Sequence, residues 1–152
     1  MISPWLMAAL AGGLIIVGLA VYAGKLLARL KLQNQYQQQA IDKRNLRILD
    51  SIHTIALAMS QDQCNFSEGA IRLTNLLNAL QFAEPKDFAI DYPGVYDLYD
   101  KVKDMPTHEA RKQYKRNQIM RMDLQRAGFE HELEAQIKTE VTRLASLELP
   151  TR

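Results

Sequence analysis

Charge is missing from the start of this chain: between Met1 and Gly24 there is no Asp, Glu, Lys or Arg. All 19 basic and 17 acidic residues fall from Lys25 onward. Cysteine occurs once, as Cys64, which excludes an intramolecular disulfide and fits a reducing compartment. Between Lys25 and Glu68 there is neither Pro nor Gly, so nothing in that stretch breaks a helix. The net charge of +2 is too small to mark a polyanion-binding protein by itself. Walker and dinucleotide glycine patterns are absent, as is the G-x-S-x-G frame of a nucleophile elbow. A length of 152 residues allows one domain, or a short anchor plus one domain.

The uncharged run from Ile2 to Gly24 is rich in Leu, Ile, Val and Ala. As a helix it would extend about 34 Å at 1.5 Å per residue, enough to cross a hydrocarbon core of about 30 Å. Leu6, Leu10, Leu14, Ile15, Ile16, Val17, Leu19 and Val21 all favour insertion, and Trp5 and Tyr22 stand near the ends, where aromatic rings prefer the interface. A buried core helix would be unusually long and apolar on every face. A cleaved signal peptide needs its basic residues ahead of the apolar run, whereas Lys25, Arg29 and Lys31 follow it. Under the positive-inside rule those three stay in the cytoplasm and the N-terminus lies outside. The segment is therefore predicted to be an uncleaved anchor. Ala8, Gly12, Ala9 and Gly13 give it small-xxx-small spacing, which lets membrane helices approach closely.

The remaining chain is predicted to be helical throughout. Residues 25–40 are polar and Gln-rich, suiting a solvated stalk. Ile41, Asn45, Ile48, Ile52, Ile55 and Met59 then follow a 4-3-4-3-4 spacing, and Leu49 and Ala56 widen the stripe, so both a coiled coil and bundle packing fit. A helix unbroken from the membrane to Met59 would be a rod of about 90 Å. The polar run Ser60–Asn65 predicts a turn. Phe66, Ala70, Leu73, Leu77 and Leu80 predict a second helix, with Asn65 or Ser67 as cap and Glu68 in its first turn. Pro85 and Pro93-Gly94 punctuate a break from Ala83 to Gly94, before a short helix burying Val95, Leu98, Tyr99 and Val102. The longest cytoplasmic helix is predicted from Pro106-Thr107, with Thr107 as cap, to about Leu147, beyond which Pro150 ends it. Its stripe is Ile119, Met122, Phe129, Leu133, Ile137, Val141 and Leu144, and Gly128 within it points to a close crossing or a bend. The fold class is all-α: a transmembrane helix (1–24) continuing through the stalk (25–40) into a small antiparallel helical bundle (41–152).

Charges come in blocks. Lys25–Arg47 holds six basic residues and one acid, Ile48–Pro106 four basic and nine acidic, and Arg111–Arg126 six basic with only Asp123. The first block suits anionic lipid headgroups. The last can pair with the acidic middle, form a solvated face, or bind an external polyanion. Nucleic acid is not expected, because Tyr114 is the block's one aromatic. Asp50 and His53 stand one helical turn apart, as in di-metal bundles, but no second such pair faces them. His108, His131 and Cys64 share no ligand spacing. Cys64 precedes a helix start, where a dipole can lower a thiol pKa, yet no His base accompanies it. No catalytic, cofactor-binding or metal residue is assigned, no cofactor is expected, and the chain is not read as an enzyme.

The block Cys64-Asn65-Phe66-Ser67-Glu68-Gly69-Ala70-Ile71-Arg72-Leu73 resembles a stretch in a family of small bacterial membrane proteins whose domain has no known function. The run Arg121–Arg126 and Glu130 is similar to that family as well. The resemblance implies an N-terminal membrane helix, a Gln-rich stalk and an inner-membrane location. It implies no activity and supplies no site residues.

The functional expectation is a scaffold or adaptor at the bacterial inner membrane, its partners the lipid bilayer and a protein or second copy of itself. The alternative is polyanion or anionic-lipid binding through the basic blocks 25–47 and 111–126. A reporter active only in the cytoplasm, fused after Arg152, should be active. Silence there with activity from a periplasmic reporter would overturn the orientation.

Overall fold

The computed structural model describes residues 4–149. The first three residues of the expected anchor, and Pro150, lie outside them. The chain divides into two compact units, Met1–Lys43 and Arg44–Arg152.

Helix α1 is assigned from Pro4 to Ser60. In the first unit it is long and apolar enough to cross a membrane. Its large apolar side chains face outward: Leu14 is 75% and Ile16 68% exposed. That excludes the role of a core helix, which hides such groups. The polar part of this unit, from Lys25 to Lys43, is helical as well; Gln38 Nε2 donates to Asp42 Oδ1 at 2.9 Å.

The second unit begins with the last turns of α1. Asn45, Ile52, Ala56 and Met59 are buried, while Ile48, Leu49 and Ile55 are half-buried, so the predicted stripe does face a core. After Ser60 the chain turns as expected. Asp62 takes the left-handed conformation (φ 56°), and Gln63 N–H reaches back to the Ala58 carbonyl at 2.8 Å, closing the helix end. Helix α2 runs Phe66–Ala79, capped by Asn65, whose Oδ1 accepts from Ser67 N at 3.0 Å. Its apolar positions Ala70, Leu73 and Leu77 are buried.

The segment expected to be only a break holds a four-residue helix, α3 (Phe88–Asp91), with Asp87 capping Ala89 N at 3.0 Å. Local Asx capping creates it despite the flanking prolines. Phe88 is buried between Phe82 and Tyr92, with ring centroids 6.1 and 6.5 Å away. Helix α4 runs Pro93–Val102 and buries Gly94, Val95, Leu98 and Val102, with Tyr99 half-buried. Pro93 at its first position sacrifices no hydrogen bond there.

The long final helix is in fact two. Helix α5 is His108–Arg111 and α6 is Arg116–Leu144. Thr107 occupies the α5 cap position without a side-chain bond. Between the two, Tyr114 N–H bonds the Arg111 carbonyl, and Lys115 adopts an extended conformation (ψ 150°) while its N–H donates to the Gln118 side chain at 3.0 Å. Gln118, at the third position of α6, thus makes the capping-box bond that starts a new helix at this point, and no Pro or Gly announces it. Leu133, Ile137, Val141 and Leu144 are buried, but Ile119, Met122 and Phe129 only partly. Gly128 has nothing within 4 Å of an added Cβ, so it marks no helix crossing.

Helix α4 packs against α2, α3 and α6, and α2 also touches α6. The core joins side chains of α1, α2, α3, α4 and α6 into one cluster. The close approach lies at Gly69, where an added Cβ would come 2.2 Å from Met59 Sδ and 2.7 Å from its Cγ. Met59 is fully buried and has nowhere to retreat. Gly69→Ala should therefore destabilise by about 1–3 kcal/mol, and Met59→Ala by about 2–5 kcal/mol. In the double variant the two costs should fall short of their sum, since each makes room for the other. Denaturant unfolding of the full chain in detergent measures this, and strict additivity would refute the close contact.

Candidate functional site

Along α6, two glutamates accept hydrogen bonds from the starts of other helices. Glu140 is buried, and its two oxygens accept from Gly94 N and Val95 N, both at 2.9 Å. The Tyr92 cap of α4 offers no side-chain bond, so this carboxylate, 45 residues away in sequence, replaces it. Gln136 Nε2 donates to Glu140 Oε1 at 3.0 Å and holds it in place. An added Cβ at Gly94 would meet Gln136 Cδ at 2.9 Å, so a larger residue there would push the Gln136 side chain aside. Glu130 serves α2: its Oε1 accepts from Ser67 N at 3.2 Å and from the Ser67 hydroxyl.

Beside the Glu130–Ser67 contact lies a cleft of about 580 Å³, formed by α2, the end of α4, the loop into α5, and α6. Ile71, Val102 and Met105 supply its apolar lining. Four cations, Arg72, Lys103, Arg111 and Arg126, line it with one carboxylate, Glu68. Three of the cations are held by acids of their own. Arg72 pairs with Glu68 at 2.5 Å, Lys103 with Asp100 at 2.7 Å, and Arg111 grips both oxygens of Asp123 at 2.8 and 2.6 Å. Arg126 stands 3.8 Å from Asp123, its side chain 21% exposed. Hydrogen bonding to Arg111 holds the Asp123 carboxyl below the ordinary aspartate range and raises Arg111 in turn. The Asp100 hydrogen bond likewise raises Lys103.

The other residues singled out by pattern do not assemble. Asp50 is exposed, while His53 donates its Nε2 hydrogen to the Leu147 carbonyl at 2.8 Å, a packing role. His131 is exposed, and the His108 side chain lies outside the description. Among the described residues no group of three His, Cys, Asp or Glu could hold a metal ion. Cys64 is pushed up, chiefly by burial and then by Glu68, against a smaller lowering by Arg72. That is the reverse of an activated thiol. The basic block 111–126 makes its ion pairs locally, through Glu109 and Asp123, rather than with the acidic middle. Arg72 and Lys103, in the middle of the chain, went unnoticed in the charge pattern because they are isolated there. Arg72 did fall in the block that carried the resemblance, as did Arg126 and Glu130 in the second similar run.

A family model described as "Protein of unknown function (DUF2489)" matches residues 16–144. An uncharacterised protein of Haemophilus influenzae is 40% identical over 127 residues, covering 84% of this chain and 84% of its own. No solved structure matches.

The Arg111–Asp123 pair ties the short helix α5 to α6. Because the Asp123 pKa is depressed in the folded state, its contribution is present above the unfolded value and is lost as pH falls through the folded one. Amide exchange in His108–Arg111 should therefore accelerate as pH drops below about 4, after correction for the intrinsic rate. Asp123→Asn should already exchange fast at neutral pH and lose that pH dependence. Identical profiles in the two proteins would show that the pair does not hold α5.

Proposed function

The chain belongs to the DUF2489 family of proteins of unknown function, and on that footing we propose that it is a membrane-anchored adaptor. Its N-terminal helix spans the bacterial inner membrane once, N-terminus outside. Its Arg44–Arg152 unit is a cytoplasmic antiparallel helical bundle that docks a protein partner or a second copy.

The observation that carries this reading is the contrast between the two units. The first exposes an apolar surface that water would not tolerate, with Leu10, Leu14, Ile16 and Leu19 each more than 60% exposed. The second builds its own core and leaves a lined cleft open on its surface. Lys25, Arg29 and Lys31, all exposed, follow the apolar stretch and favour retention of the C-terminal side in the cytoplasm. An anchor without chemistry of its own suits a protein whose work is to hold something at the membrane.

A second reading is favoured by the exposed cations of the two basic blocks. Lys43, Arg44 and Arg47, and Lys115, Arg116 and Arg121, all face solvent. They could attract anionic headgroups at about 1 kcal/mol per residue close to the surface.

Crosslinking in intact membranes, followed by identification of adducts, tests the adaptor. It should yield a reproducible protein adduct of the Arg44–Arg152 unit, and that adduct should survive ionic strength well above physiological. Adducts to lipid alone, or an association that collapses steeply with salt, would favour the second reading instead.

A further inference from the structure

We propose that the cleft between α2, α4 and α6 receives an acidic segment of a partner protein, an inference that rests on the adaptor reading and gives the partner its chemistry.

Charge complementarity is the first argument. Arg72, Lys103, Arg111 and Arg126 come from α2, the end of α4, α5 and α6, and the fold gathers them around one hollow with a single lining carboxylate. The acidic middle of the sequence hides this, because Arg72 and Lys103 are scattered among acids there. The acids paired with them, Glu68, Asp100 and Asp123, offset most of that charge, so the complementarity lies in where the cations are placed and not in a net positive field.

Size and shape decide between kinds of anion. A hollow of about 580 Å³ far exceeds one phosphate and lies within the usual range of ligand sites, about 300–1,000 Å³. The cations are spread over four elements, and each of the four retains some exposure to solvent. That arrangement is unlike a deep pocket for one compact anion. The apolar lining of Ile71, Val102 and Met105 gives a place for aliphatic side chains between charged contacts. Among the described residues no aromatic side chain lines it, so they offer no stacking platform of the kind that single-stranded nucleic acids use.

The existing ion pairs do not block the site. Glu68 and Asp100 each engage their cation through one oxygen, and exposed pairs of this kind contribute little net stability, whereas the two-pronged Arg111–Asp123 pair stays in place. An incoming carboxylate can share an Arg fork or displace an acid at small cost. Arg126, with its one acid 3.8 Å away, is the least committed cation and the natural first contact.

The test uses the full chain in nanodiscs of neutral phosphatidylcholine and a displayed library of random dodecapeptides. The selected pool should be enriched in Asp and Glu together with aliphatic residues. Its dominant peptide should bind the Arg72→Glu/Lys103→Glu variant at least about tenfold more weakly. The Lys112→Glu/Arg121→Glu variant, with the same change in net charge away from the cleft, should bind as the parent does. A pool without acidic enrichment, an empty selection, or equal weakening in both variants would overturn the proposal. Matching thermal midpoints establish that the variants fold, and Arg72→Gln/Lys103→Gln replaces the reversal if it does not. Binding of phosphatidylglycerol vesicles that is lost with the cleft charges would assign the cleft to lipid and overturn the peptide. In cells, a photo-crosslinked protein adduct that persists in the cleft variant would sink this inference while sparing the adaptor. Absence of protein adducts from every face would sink the adaptor itself.

Discussion

The fold of the Arg44–Arg152 unit depends on where the first N–H groups of its buried helices find acceptors. Orphan donors removed from water are costly, and a short helix has few other bonds to compensate. Here α6 supplies the answer twice. Glu140 takes the start of α4, and Glu130 takes the start of α2. The two carboxylates are ten residues apart, close to three helical turns, so one rigid helix sets the positions of two others. Each acidic side chain also sits at the positive end of a helix dipole, where it helps to fix that helix start. The apolar stripe between them, Leu133 and Ile137, fills the space that this spacing leaves.

The same constraint bears on Gly94 and on the one buried amide of the inner stripe. Gly94 leaves room for Gln136, whose amide holds Glu140 against the α4 start. Asn45 sits at an apolar position of α1, yet its amide pairs with both backbone groups of Gln81, donating at 2.7 Å and accepting at 3.1 Å. That residue follows the end of α2, where the carbonyl and N–H have left the helix and would otherwise go unpaired. A leucine at position 45 would satisfy the pattern and strand the backbone.

Sequence periodicity found the elements because it reflects local geometry: the stripes named on α2, on α4 apart from the half-buried Tyr99, and on the C-terminal half of α6 face the core. The turn at Ser60–Asn65 and the Asn65 cap were equally legible, being encoded within a few residues. What escaped was nonlocal or competitive. The Glu130 and Glu140 caps join residues 45 to 63 positions apart, and a glutamate in a charged helix looks like any other. The gap between α5 and α6 is marked by the Gln118 capping bond that starts α6 at Lys115, with no Pro or Gly to announce it. Gly128 points to a crossing or a bend because glycine is costly in a helix, but the close approaches lie at Gly69 and Gly94 instead. As for the cleft, its cations lie in three separate stretches of sequence, and only the fold makes them neighbours.

A cleft whose cations already have partners is built for modest affinity. Each incoming carboxylate replaces or shares an existing contact, so the net gain per ion pair is small and falls with salt. In free solution such a site would bind few targets for long. Fixing it beside a membrane changes the arithmetic, because a partner held at the same surface meets it at an effective concentration far above its average in the cell. Weak, exchangeable contacts then suffice for occupancy while still allowing release. On the proposed adaptor reading, the charge-free first 24 residues therefore matter to recognition as well as to location. On this reading the anchor supplies through confinement the affinity that the cleft, by its own chemistry, lacks.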